Sequence, residues 1–227
     1  MESHKGITIS SINAWGFADT QKRSDVLQYL REKNFSIYCL QETHFSKQIE
    51  HIITAKWGYK VLYNSFSSNA KGLAILINNN FDYNLNKSYC DPEGDFMIAE
   101  ITSNERKFLL VNLHSPNQDH PSFYDRLKQE ILKFANNNII LVGDWNLILD
   151  EKMDLTNYKN INNPRCREKV LNLMVDFNLV DVWREMHPEL KSYTWRRRNP
   201  FQQARLDFFL TNENIFCDII QSNIKNS

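Results

Sequence analysis

The sequence predicts an α/β domain in which two sheets pack face to face with helices outside. Three observations carry this. Short apolar, β-rich runs recur along all 227 residues. Helical periodicity appears between some of them. Strands also follow one another directly, which breaks the strict alternation of a parallel doubly wound sheet. Apolar residues make up 42% of the chain, with 14 Phe, 9 Tyr and 5 Trp, enough to fill a sizeable core. No repeat, low-complexity tract or linker divides it. One domain over 1–227 is expected.

The strand signals lie at 7–13, 35–41, 60–66, 72–78, 96–102, 107–113, 139–143, 193–197, 206–210 and 218–224. The Ser-Asn-Glu-Arg turn at 103–106 makes a hairpin of the fifth and sixth. Helical faces are read from Val26, Tyr29 and Leu30, from Phe123, Leu127, Ile131 and Phe134, and from Val170, Leu173, Met174 and Phe177. Pro121 and Pro164 stand where helices start.

Composition narrows the function. Formal net charge is zero, so bulk binding to a polyanion is not indicated, and any nucleic-acid contact depends on where charge sits. Cys39, Cys90, Cys166 and Cys217 form no C-x-x-C pair, so zinc is not expected, and their scatter favours a reducing, intracellular setting. Cys39 lies in an apolar run and reads as a buried thiol. No run of ~18 apolar residues suggests a membrane span, and no signal peptide precedes the first strand.

Five segments place polar residues at strand ends, where a rigid strand aims the residue beyond it. Asn13 ends the first strand; its amide suits a phosphate oxygen, or a plain turn cap. Glu42 follows the buried run Tyr38-Cys39-Leu40-Gln41. A carboxylate there suits a hard cation, because Mg²⁺ takes one or two carboxylates and completes its shell with water and phosphate. An exposed strand-end Glu is the alternative. His114 precedes Ser115-Pro116-Asn117 and suits acid–base work or a phosphate hydrogen bond, or is a loop histidine. Asp144 and Asn146 follow the apolar run 139–142; two apart, they share a side if the strand extends, and together they suit orienting a water and holding a phosphate. Asp207 opens an apolar strand and needs a partner, which Arg205 could supply.

In this order, Ser11-Ile12-Asn13, Gln41-Glu42-Thr43, Asn112-Leu113-His114-Ser115-Pro116-Asn117, Gly143-Asp144-Trp145-Asn146 and Arg205-Leu206-Asp207 resemble the endonuclease/exonuclease/phosphatase superfamily, typified by exonuclease III and DNase I. The runs Gln41-Glu42-Thr43-His44, 69–76 and Ser192-Tyr193-Thr194-Trp195 look like its LINE-type retrotransposon branch. The resemblance implies a DNase I-like four-layer α/β sandwich of two mixed sheets. It implies Mg²⁺ (or Mn²⁺) at Glu42, with Asp207 a further metal or support residue. It implies Asp144 orienting water, and Asn13 and Asn146 holding phosphate. His114 stands where LINE-type members usually carry Tyr and DNase I-like members carry His.

The resemblance further implies a DNA-nicking endonuclease, part of a longer polyprotein with a reverse transcriptase, acting in the nucleus on double-stranded DNA. A monomeric domain is expected. DNA contacts are expected at Trp15, Thr194, Arg196, Arg197, Arg198 and Arg205. Five basic residues, with Lys191 the first, occur between 191 and 205 without an acid, interleaved with Trp195 and Phe201. A basic strand edge that resists aggregation is the alternative. The family's final Ser-Asp-His element is not found up to Ser227, so the chain is expected to be truncated before it. Two other functions fit: an inactive DNA-binding relic of such an element, or a phosphatase or phospholipid phosphodiesterase of the same superfamily.

Overall fold

The computed structural model describes residues 6–17, 19–136, 138–158 and 163–225. The chain divides into two units, Met1–Arg106 with Asn112–His114, and Lys107–Val111 with Ser115–Ser227. Among the described residues, no helix is long and apolar enough to cross a membrane.

The first unit opens with β1 (Ile9–Asn13), α1 (Thr20–Lys33), β2 (Ile37–Gln41), α2 (Glu50–Trp57), β3 (Val61–Asn64) and β4 (Leu73–Ile77). The sheet order is β1-β2-β4-β3. The first pair is parallel, and β2-β4 and β3-β4 are antiparallel, so the sheet is mixed. A parallel pair needs a crossover, and α1 provides it. Asp19 caps this helix by accepting from the Lys22 amide, and Asn34 ends it in the left-handed conformation.

Leu27 and Leu30 of α1 and Ile53 and Trp57 of α2 pack with Tyr38, Leu40, Ala74 and Leu76 from one face of the sheet. The alternate residues Ile37, Cys39, Ile75 and Ile77 are equally buried, so these central strands are covered on both faces. Tyr29, expected on the buried face of α1, is 47% exposed. Arg23 takes that side instead, its guanidinium donating to the Phe17 carbonyl.

Further along come β5 (Asn84–Cys90), β6 (Phe96–Ser103) and β7 (Arg106–His114), the last contributing to both units. The turn from β6 to β7 has only two residues, Asn104 (φ 48°) and Glu105 (φ 64°). Two successive left-handed residues match the twist of a tight hairpin. The strand β5 was not anticipated. It is a polar edge strand with a register shift between Leu85 and Lys87, and carries little hydrophobic alternation.

The second unit contains α3 (Ser122–Leu132), β8 (Ile139–Asp144), β9 (Leu155–Thr156), α4 (Pro164–Asp176), β10 (Leu179–Asp181), α5 (Val182–Met186), β11 (Trp195–Arg197), β12 (Gln202–Ala204), β13 (Asp207–Asn212) and α6 (Glu213–Phe216). Its main strands run β10-β13-β8-β7, and β11-β12-β9 form a small separate sheet. Pro121 precedes α3, and Pro164 is the first residue of α4, as expected. Trp145, fully buried, stacks on Phe208 at 4.8 Å and donates its indole N–H to the Phe208 carbonyl. The strand expected at 218–224 does not form. That segment is turn and loop, held in part where the His187 ring meets the Ser222 carbonyl at 3.0 Å.

Candidate active site

In the first unit, parallel register places Asn13 opposite Gln41 at the ends of β1 and β2. Glu42 therefore emerges beside Asn13. Its backbone is left-handed (φ 47°), and its carbonyl accepts from the Gly16 amide at 2.7 Å. The turn is tight enough that a side chain at Gly16 would come within 2.7 Å of His44 Nδ1. His114, at the end of β7, places Nε2 3.2 Å from Oε1 of Glu42. Both side chains are largely covered yet reachable, at 12% and 22% exposure.

Beneath them lie two fully buried amides whose role sequence reasoning missed. Gln41 Nε2 donates to Asn112 Oδ1 at 2.7 Å, and Asn112 Nδ2 donates to the Leu40 and Ala74 carbonyls. Gln41 directly precedes Glu42, and Asn112 lies two residues before His114. Together they fix the strand ends that present the Glu42–His114 pair. The signal was present, because each is a polar residue inside an apolar strand, and such a residue must be satisfied.

In the second unit, antiparallel register sets Asp207 of β13 directly opposite Asp144 of β8. The expected extension of the strand through Asn146 is corrected: the strand stops at Asp144, and Asn146 is left-handed (φ 48°). A turn joins them instead. The Asn146 amide donates to Asp144 Oδ1 at 3.0 Å, and Asn146 Nδ2 donates to the Ser115 carbonyl at 2.7 Å. The Ser115 amide in turn donates to the Asp144 carbonyl. The two functional groups are thus locked by shared hydrogen bonds rather than by pleat.

Thr194 supports the same place. Its Oγ1 accepts from the amides of Leu206 and Asp207, at 3.0 and 3.1 Å, which fixes the start of β13. Burial raises the Asp207 pKa to about 8, the facing Asp144 carboxylate adds to the rise, and the Thr194 hydroxyl opposes it.

Arg205 corrects two expectations. It is 1% exposed and grips Asp154 and Asp181 with Nη2 at 2.7 and 2.5 Å. Arg184 completes the network on Asp154 at 2.6 Å. Arg205 is therefore neither a DNA contact nor the partner of Asp207. Burial opposes its charge, and the two carboxylates outweigh that, raising its pKa. Arg196, Arg197 and Arg198 are exposed at the β11 edge, and Trp15 is 83% exposed. Phe201 is also exposed, while Trp195 packs against Tyr158.

Residues 10–221 match the model of the endonuclease/exonuclease/phosphatase family. The chain belongs to that family. A relative, the "Transposon TX1 uncharacterized 149 kDa protein" of Xenopus laevis, is 26% identical over 210 residues, which is 88% of this chain and 16% of that protein. The chain thus spans about a sixth of this relative's length. An AP endonuclease from Leishmania major superposes with a TM-score of 0.73 at 16% identity, over 93% of this chain and 80% of its own. The endonuclease domain of TRAS1, a telomere-specific non-LTR retrotransposon, gives 0.66 at 14%, over 96% and 90%. These likenesses bear out the expected α/β, DNase I-like class, and the relatives that the chain resembles include a transposon protein and a retrotransposon endonuclease domain.

Proposed function

We propose that this chain is the metal-dependent DNA endonuclease domain of a LINE-type element, and that it nicks double-stranded DNA. The observation that carries the reading is Asp144, Asn146 and Asp207 locked at one end of an antiparallel strand pair, in a chain of this family. Asp144 accepts the proton side of the attacking water and orients it. The Asn146 and Asn13 amides hold phosphate oxygens as charge develops on them. His114, beside Glu42, donates to a phosphate oxygen or takes part in proton transfer.

The residues fit Mg²⁺ or Mn²⁺ and not a protein cage. Among the described residues, no three His, Cys, Asp or Glu side chains gather as a metal-binding group. Magnesium needs only one or two carboxylates, and Glu42 offers one at a partly open strand end. When bound, the ion would withdraw charge from the phosphate and ease departure of the leaving oxygen. Similarity to a transposon protein and to the endonuclease domain of TRAS1 supports DNA as substrate; a reverse transcriptase in the same polyprotein is a further part of the proposal.

The test is relaxation of supercoiled plasmid in Mg²⁺. A closed circle has no ends, so trimming from ends cannot produce the open circle. Wild type is expected to nick and EDTA to stop it. Asp144→Asn and Glu42→Gln are each expected to lower the rate at least ~100-fold. Salt-sensitive DNA binding without nicking by wild type would instead favour the inactive relic. Turnover of a phosphoinositide but not of DNA would favour the lipid phosphodiesterase.

A further inference from the structure

The loop after β1 holds Trp15, expected from the resemblance to touch DNA but given no part in the catalytic steps and no specific partner. Tryptophan is highly buried on average. Trp57 and Trp145 are fully buried here, while Trp15 is 83% exposed. It is nevertheless not on a loose loop. Its amide donates to Asn13 Oδ1 at 2.9 Å. The flanking amides of Ala14 and Gly16 donate to the carbonyls of Gln41 and Glu42, at 2.8 and 2.7 Å. Lys22 Nζ then bridges three successive carbonyls, those of Ala14, Trp15 and Gly16, at 3.0, 3.1 and 2.9 Å. The backbone of Trp15 is left-handed (φ 47°), a conformation that costs a bulky residue free energy and persists only when its surroundings dictate it.

The surroundings choose the ligand. After the buried Gly16 and Phe17, the exposed residues are Asp19, Thr20, Gln21 and Lys22, so the exposed side chains described in this segment are one aromatic plane among polar groups. A lone plane suits a flat partner, such as one base. The base must have a free face. In a paired duplex each base is stacked on both sides, whereas an unpaired or bulged nucleotide has a face to offer.

We infer that Trp15 is a nucleobase-stacking residue that biases the domain toward DNA carrying an unpaired nucleotide beside the phosphate held by Asn13. This rests on the nuclease reading and adds a substrate preference to it. Trp15 is a specificity residue; the reacting groups are elsewhere.

The experiment compares two fluorescently labelled duplexes of one sequence, fully paired or carrying a single-nucleotide bulge, with 2-aminopurine as the bulged base. Binding is measured in EDTA, and plasmid nicking in Mg²⁺. Wild type is expected to prefer the bulged duplex and to quench the 2-aminopurine. Trp15→Ala is expected to weaken bulge binding between ~5-fold and ~150-fold, with loss of the quench and the preference. Trp15→Phe, which keeps an aromatic plane, is expected to retain most of both. Thermal melting of each variant checks that the fold is intact. If wild type nicks plasmid but Trp15→Ala keeps the same preference, the stacking role is overturned and the nuclease reading stands. If wild type neither nicks nor binds either duplex, both fall.

Discussion

Burial and the facing Asp144 carboxylate hold Asp207 protonated well above the ordinary carboxylate range. This couples its proton to stability. A carboxyl whose pKa is ~3.9 in the unfolded chain and about 8 in the fold binds more protons when folded. Its contribution is full below ~pH 4 and is lost as pH climbs through 8. In EDTA, the melting temperature of the wild type is expected to fall across that interval. Asp207→Asn, which cannot ionise, should flatten the fall and melt higher than wild type at alkaline pH. Unchanged slopes in the two proteins would remove this account. Arg205 is the opposite case. Removing it leaves Asp154 and Asp181 buried with fewer partners, so Arg205→Met should cost ~3–5 kcal/mol in urea unfolding. Arg197→Met, at an exposed position, should stay within ~0.5 kcal/mol.

At the scale of elements, the proposed function assigns the sequence-independent part of DNA affinity to the basic edge of β11 and the turn after it. Replacing Arg196, Arg197 and Arg198 together by Ala should flatten the slope of log K against log salt by ~0.9 for each phosphate no longer neutralised. A fluorescence anisotropy titration at several salt concentrations reads this directly. Elements with a strong apolar signal were legible: β2, β4, β6, β7 and β8 lie within a residue or two of their expected positions. The polar edge strand β5 was not, because nothing on its exposed side demands hydrophobic residues. Helix α2 was missed because Ile52, Ile53 and Thr54 give it a β-branched centre, and packing of Trp57 and Ile53 overrides that propensity. The segment 218–224 erred the other way. It has strand-like residues, yet it pairs with no strand in the described structure.

The candidate residues of each unit stood out in the sequence, whereas the way each is held did not. Asn13, Glu42, His114, Asp144, Asn146 and Asp207 could be named because polar residues at the ends of apolar strands stand out. That Asn146 reaches Asp144 through a left-handed turn could not be, since φ is not written in an asparagine. Arg205 was misjudged because its carboxylate partners lie 24 and 51 residues away in the chain.

For the molecule as a whole, zero net charge offers little long-range pull on a polyanion, so the proposed DNA binding has to rest on a few placed groups. The four cysteines are free. Burial pushes the Cys39 thiol far up and that of Cys166 up to about 11. A thiol reagent at neutral pH should therefore label exposed Cys90 and Cys217 first and reach Cys39 only on unfolding; mass spectrometry of the modified peptides tests this.

The amide pair Gln41–Asn112 has a consequence for how this chain can vary. A hydrocarbon at 41 takes away the donor that Asn112 Oδ1 accepts from, and one at 112 takes away the amide that donates to the Leu40 and Ala74 carbonyls, while Gln41 Nε2 keeps Ser11 Oγ and the Cys39 carbonyl. Drift at these two sites has to pass through a damaged intermediate or move in step. A paired library covering positions 41 and 112 should accordingly yield functional clones in matched combinations, with single exchanges strongly depleted.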